Sequence, residues 1–170
     1  MKIVYCGSSA FSVPALYSLS ASITHVVTKK AKPKGRGYLT EAGEVKKAAL
    51  DLQLPVIEVE SFKDESSRAL QDLRPDLIVV VSFGLIIPKW LLDIPVIGAI
   101  NVHPSALPKY RGPSPIQWAI WNGESETAIS IIRMNERMDA GNIIFQESVK
   151  LEDEEDARSL SQRLAQRTAE

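Results

Sequence analysis

The run Leu77-Ile78-Val79-Val80-Val81 limits the fold more than any other stretch of this chain. Five apolar, mostly β-branched residues without polar alternation describe a strand covered on both faces, which calls for helices above and below a sheet. The opening of the chain agrees. Lys2 to Cys6 reads as a strand, Gly7-Ser8-Ser9-Ala10 as a turn, Val13 to Leu19 as a helix and Ile23 to Thr28 as a second strand. That is a βαβ unit, and it predicts a parallel sheet. Ser12 suits the N-cap of the first helix, and Pro14 falls in its first turn, where a missing N–H costs little.

The same alternation runs on. Thr40 is expected to cap a helix reaching Leu52, with Val45, Ala48, Ala49 and Leu52 on one face. A strand over Pro55 to Glu58 precedes a helix from Phe62 to Leu73 with Leu70 and Leu73 inward, and Lys89 to Leu92 gives one helical turn. A helix over Pro115 to Asn122 takes Ser114 as its cap and Gly123 as its stop. Ala128 to Met134 and Asn142 to Lys150 are β-like and pair across the turn at 136–141, and a last helix covers Ala157 to Ala169 with Leu160 and Leu164 inward. The expected class is α/β: a Rossmann-like, doubly wound, mostly parallel sheet with antiparallel strands near the C-terminal end.

At 170 residues the chain suits one domain. A net charge of −1 removes any whole-protein field for nucleic acid, so a basic site must be local. One cysteine, Cys6, permits no intrachain disulfide, and two histidines with one cysteine make a His/Cys zinc centre an unsuitable reading; no metal is expected. No apolar stretch reaches the length of a membrane span and no signal-peptide core opens the chain, so a cytoplasmic protein is expected. Gly7 lacks the two further glycines of a dinucleotide fingerprint, which favours a turn made tight for packing over a nucleotide cofactor.

Two stretches carry chemistry. In Ile100-Asn101-Val102-His103-Pro104, strand alternation places Asn101 and His103 on one side, at the carboxyl end of a strand where open α/β sheets hold ligands. On its own such a histidine is more often a hydrogen-bonded structural residue than a catalyst. Asp139-Ala140-Gly141 is by composition turn chemistry. The segment 29–37 gathers Lys29, Lys30, Lys32, Lys34 and Arg36 among Pro and Gly, either a solvated loop or a flexible contact to phosphates.

Asn101-Val102-His103-Pro104-Ser105-Ala106-Leu107-Pro108, continuing through Lys109-Tyr110-Arg111-Gly112, resembles the hallmark of the folate-dependent formyltransferase family, and within it the branch acting on methionyl-tRNA. Ile129 to Met134 followed by Met138-Asp139-Ala140-Gly141 resembles the second signature of that family. The likeness spans nearly the whole chain. It implies a formyltransferase fold and 10-formyltetrahydrofolate as co-substrate. Asn101, His103 and Asp139 would then be the catalytic groups, stabilising a tetrahedral intermediate as an amine attacks the formyl carbon. It further implies a folate pocket drawn from Phe83, Gly84, Leu85, Ile86 and Ile87, from Ser105, Ala106, Leu107 and Pro108, and from Glu136. Lys32, Lys34 and Arg36 would reach the acceptor end of initiator methionyl-tRNA, with the protein a monomer.

The chain departs from the family pattern at Ala31, Ala106, Ala128 and Arg137, where an acidic residue, a leucine, a glycine and a small residue are usual. Residues 1–170 are expected to form one catalytic domain, apparently truncated, without the family's C-terminal tRNA-gripping domain. An amino-sugar nucleotide formyltransferase or a formyltetrahydrofolate hydrolase would use the same three residues. A fragment that binds folate or RNA without turnover is the alternative outside enzymes.

Overall fold

Every residue of β1 (Ile3–Gly7) is buried, and its alternating side chains divide the interior in two. Ile3 and Tyr5 enter one apolar cluster, and Val4 and Cys6 enter the other. The chain is described by a computed structural model over residues 1–31, 42–63 and 65–170. Among these residues the elements are β1, α1 (Val13–Leu19), β2 (Ile23–Lys29), α2 (Glu44–Asp51), β3 (Val56–Val59) and α3 (Glu65–Asp72). There follow β4 (Leu77–Val81), α4 (Lys89–Leu92), β5 (Gly98–His103), α5 (Pro115–Trp121), β6 (Glu126–Arg133), β7 (Asn142–Lys150) and α6 (Ala157–Arg167).

The strands form one sheet in the order β3-β2-β1-β4-β5-β6-β7, so the apolar run of β4 lies at its centre. Strands β3 to β5 in that order pair in parallel, and β6 and β7 join antiparallel. This is the doubly wound α/β arrangement with an antiparallel C-terminal end that the sequence predicts.

The two clusters sort the helices by layer. Leu16 of α1, Val45 of α2, Ile116 of α5, and Leu160 and Leu164 of α6 pack with Ile3, Tyr5, Val79, Val81 and Val102 on one face. Leu70 of α3, Leu91 of α4, and Phe83 and Ile87 of the loop after β4 pack with Val4, Cys6, Ile78, Val80 and Ala99 on the other. Leu160 and Leu164 are wholly buried, and each such side chain stabilises the fold by ~1.5–3 kcal/mol. No helix among the described residues is long and apolar enough to cross a membrane.

Several local expectations change. Ser12 occupies the N-cap position of α1 in helical backbone geometry and makes no capping bond; its hydroxyl donates to the Ser9 carbonyl at 2.6 Å, because the chain enters through a 3-10 turn over Ala10–Ser12. Ser114 precedes α5 at φ 65°, a left-handed geometry, and likewise makes no side-chain cap bond. Asp156 does cap, accepting from the N–H groups of Arg158 and Ser159 in a capping box that starts α6. Thr40 lies outside the described residues; α2 starts after Gly43. The third helix begins at Glu65, three residues later than expected from Phe62.

Gly7 ends β1 where a side chain would collide. A Cβ there would lie 2.7 Å from Ser12 Oγ and 2.9 Å from the Tyr5 ring, which supports the packing reading of this glycine. The carboxyl ends of β1 and β4 are tied at the point where strand order reverses. Ser8 N–H donates to the Ser82 carbonyl at 3.3 Å, and Ser9 Oγ donates to Ser82 Oγ at 2.7 Å.

Candidate active site

Strand β5 delivers the polar residues. Ala99 belongs to the second cluster, and Asn101 and His103 share its parity, so all three point to the layer holding Phe83 and Ile87. In register, Asn101 faces Val80 of β4 and Ile132 of β6, and His103 faces Ser130. His103 is thus the last residue of its strand, 5% exposed, at the carboxyl edge of the sheet.

Asp139 reaches the same place from the turn between β6 and β7. Asn135 holds that turn at both ends: its Oδ1 accepts from the Arg137 N–H at 2.9 Å, and its Nδ2 donates to the Ala140 carbonyl at 3.2 Å. Asp139 adopts φ 46°, left-handed, and the chain returns to β7 through Gly141. A Cβ on Gly141 would sit 1.8 Å from the Arg133 carbonyl oxygen. The Asp-Ala-Gly sequence is therefore set by close backbone approach as well as by turn chemistry.

The three side chains converge. Asn101 Nδ2 donates to Asp139 Oδ1 at 3.1 Å, and Asp139 Oδ2 lies 3.6 Å from His103 Nδ1. His103 Nε2 lies 2.9 Å from the Tyr110 carbonyl oxygen. A carbonyl only accepts, so this contact assigns a hydrogen to Nε2 and leaves Nδ1 as the nitrogen turned to Asp139. That nitrogen faces the carboxylate across a gap longer than a hydrogen bond. The imidazole is 6% exposed and the Asp139 side chain 13%, so charge interactions here are screened less than at the surface.

The segment after β5 grips the aspartate. Gly112 N–H donates to Asp139 Oδ2 at 2.9 Å, and Arg111 Nε donates to the Asp139 carbonyl at 3.1 Å. The start of the segment is anchored separately. Ser130 Oγ donates to the Ser105 carbonyl at 2.6 Å, while Gln146 Nε2 donates to the Leu107 carbonyl at 3.1 Å and to Ser130 Oγ at 2.8 Å. Sequence reasoning does not find Asn135, Ser130 or Gln146. Only Ser130, polar within the apolar stretch Ala128 to Ile132 of β6, leaves a hint in the sequence.

The residues expected around a folate divide by exposure. Phe83 and Ile87 are core residues, and the Phe83 ring lies 5.9 Å from that of Phe62. Gly84 and Ile86 between them are exposed, and Leu85 is half-buried. Ser105 is wholly buried and its hydroxyl donates to the Lys109 carbonyl at 2.7 Å, so its side chain is structural in this conformation. Leu107 is buried, Ala106 half-buried, and Pro108 exposed after a cis peptide bond. Glu136 is exposed in the turn that carries Asp139. Lys32, Lys34 and Arg36 lie outside the described residues. Cys6 is buried, which pushes its thiol up to about 12 and removes it as a nucleophile.

Comparison with known proteins supplies the remaining observation. The model of the family described as formyl transferase matches residues 13–170. Methionyl-tRNA formyltransferase of Thermodesulfovibrio yellowstonii is 43% identical over 96% of this chain and 54% of its own length. The enzyme of that name from Anaplasma marginale is 43% identical over 97% of this chain and 56% of its own. The chain therefore spans about half the length of the curated relatives it matches. Among solved structures, phosphoribosylglycinamide formyltransferase from Bacillus halodurans superposes with a TM-score of 0.82 at 21% identity, covering 99% of this chain and 90% of that one. A sugar 3N-formyl transferase solved with dTDP and 5-N-formyl-THF gives 0.75 at 22% identity, with 99% and 59% covered. Both structures share the fold.

Proposed function

The chain belongs to the formyl transferase family, and on that premise we propose that residues 1–170 act as one catalytic domain transferring a formyl group from 10-formyltetrahydrofolate to the amino group of methionyl-tRNA. The observation that carries this reading is the convergence of Asn101, His103 and Asp139 at the carboxyl end of β5.

Each group has a task that its surroundings support. The amine attacks the formyl carbon, and the carbonyl oxygen takes up negative charge. Asn101 has one amide N–H engaged by Asp139 and a second to offer that oxygen without titrating. His103, protonated or as an N–H donor, offers a second donor from a buried, oriented ring. Donors aimed at developing charge in such a site are worth ~2.7–4 kcal/mol each. Asp139 holds Asn101 by a hydrogen bond, faces the His103 ring, and assists, through water, the passage of the amine proton to the departing folate nitrogen. The carbon–nitrogen bond to folate then breaks and the formyl group stays on the acceptor. The residues suit the donor: exposed Gly84 and Ile86 and half-buried Leu85 offer backbone and apolar surface to a flat heteroaromatic ring. Ala106, Pro108 and Glu136 complete the proposed lining. Lys32, Lys34 and Arg36 supply cations for the phosphates of the acceptor, and the protein acts as a monomer.

The test is a formylation assay with 10-formyltetrahydrofolate and four acceptors: methionyl-tRNA, free methionine, an amino-sugar nucleotide and water. Formyl transfer to methionyl-tRNA alone is the expected result. Preference for the sugar or for water would move the chain to another activity of its family. Folate binding without turnover on any acceptor would make it a binding module.

A further inference from the structure

Tyr110 links the site to a residue that touches none of its three members. Its carbonyl oxygen receives His103 Nε2 at 2.9 Å, and its backbone stands at φ 57°. The left-handed region is unfavourable for a bulky L-residue and persists only when neighbouring contacts fix it. Those contacts come from Glu124. Its Oε1 accepts from the Tyr110 hydroxyl at 2.6 Å, and its two oxygens accept from Lys109 Nζ at 3.0 and 3.1 Å. The phenol in turn accepts from Asn122 Nδ2 at 2.9 Å. Glu124 itself stands on firm ground, since its N–H closes the end of α5 by donating to the Ala119 carbonyl at 3.0 Å.

We infer that Glu124 is a positioning residue of the site, holding the 109–112 segment so that the Tyr110 carbonyl fixes the His103 tautomer while Arg111 and Gly112 grip Asp139. The segment is short and continuous, so one anchor serves both ends. Adjacent residues carry the effect from the carboxylate to the imidazole on one side and to Asp139 on the other. Hydrogen bonds from Tyr110 and then Lys109 hold the Glu124 carboxyl below the usual range, which keeps it an acceptor at neutral pH. A concavity of about 310 Å³ beside this support is bordered by Ala106, Lys109, Tyr110, Glu124 and Thr127 and by none of Asn101, His103 and Asp139.

The kinetic part of this inference rests on the formyl-transfer reading; the structural part does not. The chain has two histidines, His25 and His103, so nitrogen-15 NMR of the imidazoles reads the tautomer directly, with His25 as an internal standard. In the native protein above the imidazole titration, His103 should carry its hydrogen on Nε2. Glu124→Ala and Tyr110→Phe should each shift His103 toward a mixture of tautomers and leave His25 unchanged. The double variant should be no worse than Glu124→Ala alone, because Tyr110→Phe removes a link that Glu124→Ala already lacks. Glu124→Gln, which keeps an acceptor for the phenol, should restore most of the native pattern. In the formylation assay, kcat should fall about tenfold or more in Glu124→Ala with the folate KM little changed. A His103 still wholly Nε2-protonated in folded Glu124→Ala and Tyr110→Phe would overturn the inference. A tautomer shift in a protein that formylates nothing would uphold the positioning role and sink the proposed reaction.

Discussion

Gly112 donates its backbone N–H to Asp139 Oδ2 at 2.9 Å, across 27 residues of chain. The carboxylate oxygen that faces the histidine is thus fixed by the segment that also receives the histidine's other nitrogen. Asn101, His103 and Asp139 are held as a unit, and their loss should be felt as a unit. Asn101→Ala, His103→Ala and Asp139→Ala are each expected to lower turnover by about 10²–10³-fold. Folate affinity should stay near native, because charge on the formyl oxygen develops only in the transition state. Each double variant should lose much less than the product of its singles. Steady-state kinetics together with folate fluorescence titration checks all three statements, and near-native turnover in any single variant would remove that residue from the site.

Gly141→Ala should damage both stability and the site. The added carbon must displace the Arg133 carbonyl, 1.8 Å away, or the backbone of the turn itself. A loss at or above the ~1–3 kcal/mol of overpacking is expected in urea denaturation, with turnover falling as Asp139 moves. Gly43→Ala, where a Cβ meets nothing within 4 Å, is the matched control and should change stability by less than about 1 kcal/mol.

Acid should weaken the attachment of α6. The Glu155 carboxyl is held below its usual range, first by hydrogen bonds from Arg163, which also donates to the Lys150 carbonyl at the end of β7. A carboxyl lowered in the folded state binds its proton more weakly there than in the unfolded chain. Its stabilisation is complete above the ordinary value of about 4.3 and is lost as pH falls through the lowered folded value. Glu155→Gln should therefore be less stable than native at pH 7, and the two stability curves should converge in acid. Urea midpoints measured from pH 7 downward decide this, and parallel curves would exclude the pair as the cause.

A salt titration separates the basic stretch from the folate pocket. Lys34→Ala and Arg36→Ala should each lower the slope of log affinity for methionyl-tRNA against log salt by about 0.7–0.9 if each cation meets one phosphate. Folate affinity should not move. Equal damage to folate binding would assign these residues to the pocket instead.

The sheet was legible from an unbroken apolar run and the Asn101–His103 pair from alternation along a strand, both of which a sequence displays directly. The run Leu77–Val81 could only be central, and its position fourth of seven strands follows from needing cover on both faces. Asp139 was legible through resemblance alone, since nothing local distinguishes it from any turn aspartate. Ser105 shows the limit of that route: it lies inside the signature, yet its hydroxyl serves the Lys109 carbonyl. The Ser130–Gln146 and Tyr110–Glu124 contacts were hidden for a physical reason. They join residues 16 and 14 positions apart through side-chain geometry, which leaves no period to read.

Strands β5, β6 and β7 are consecutive both in the chain and in the sheet, and this has a kinetic meaning. Asn101 and Asp139 are 38 positions apart, and the β6–β7 ladder is an antiparallel hairpin. The β1–β4 pairing must close a far longer loop, as between Lys2 and Asp76, 74 positions apart. Loop closure grows costlier with separation and slows non-local pairing. The hairpin and β5 should therefore acquire amide protection early in refolding, ahead of the β1–β4 pairing, with Asn101, His103 and Asp139 already neighbours before the sheet is complete. Pulsed hydrogen exchange during refolding would record that order.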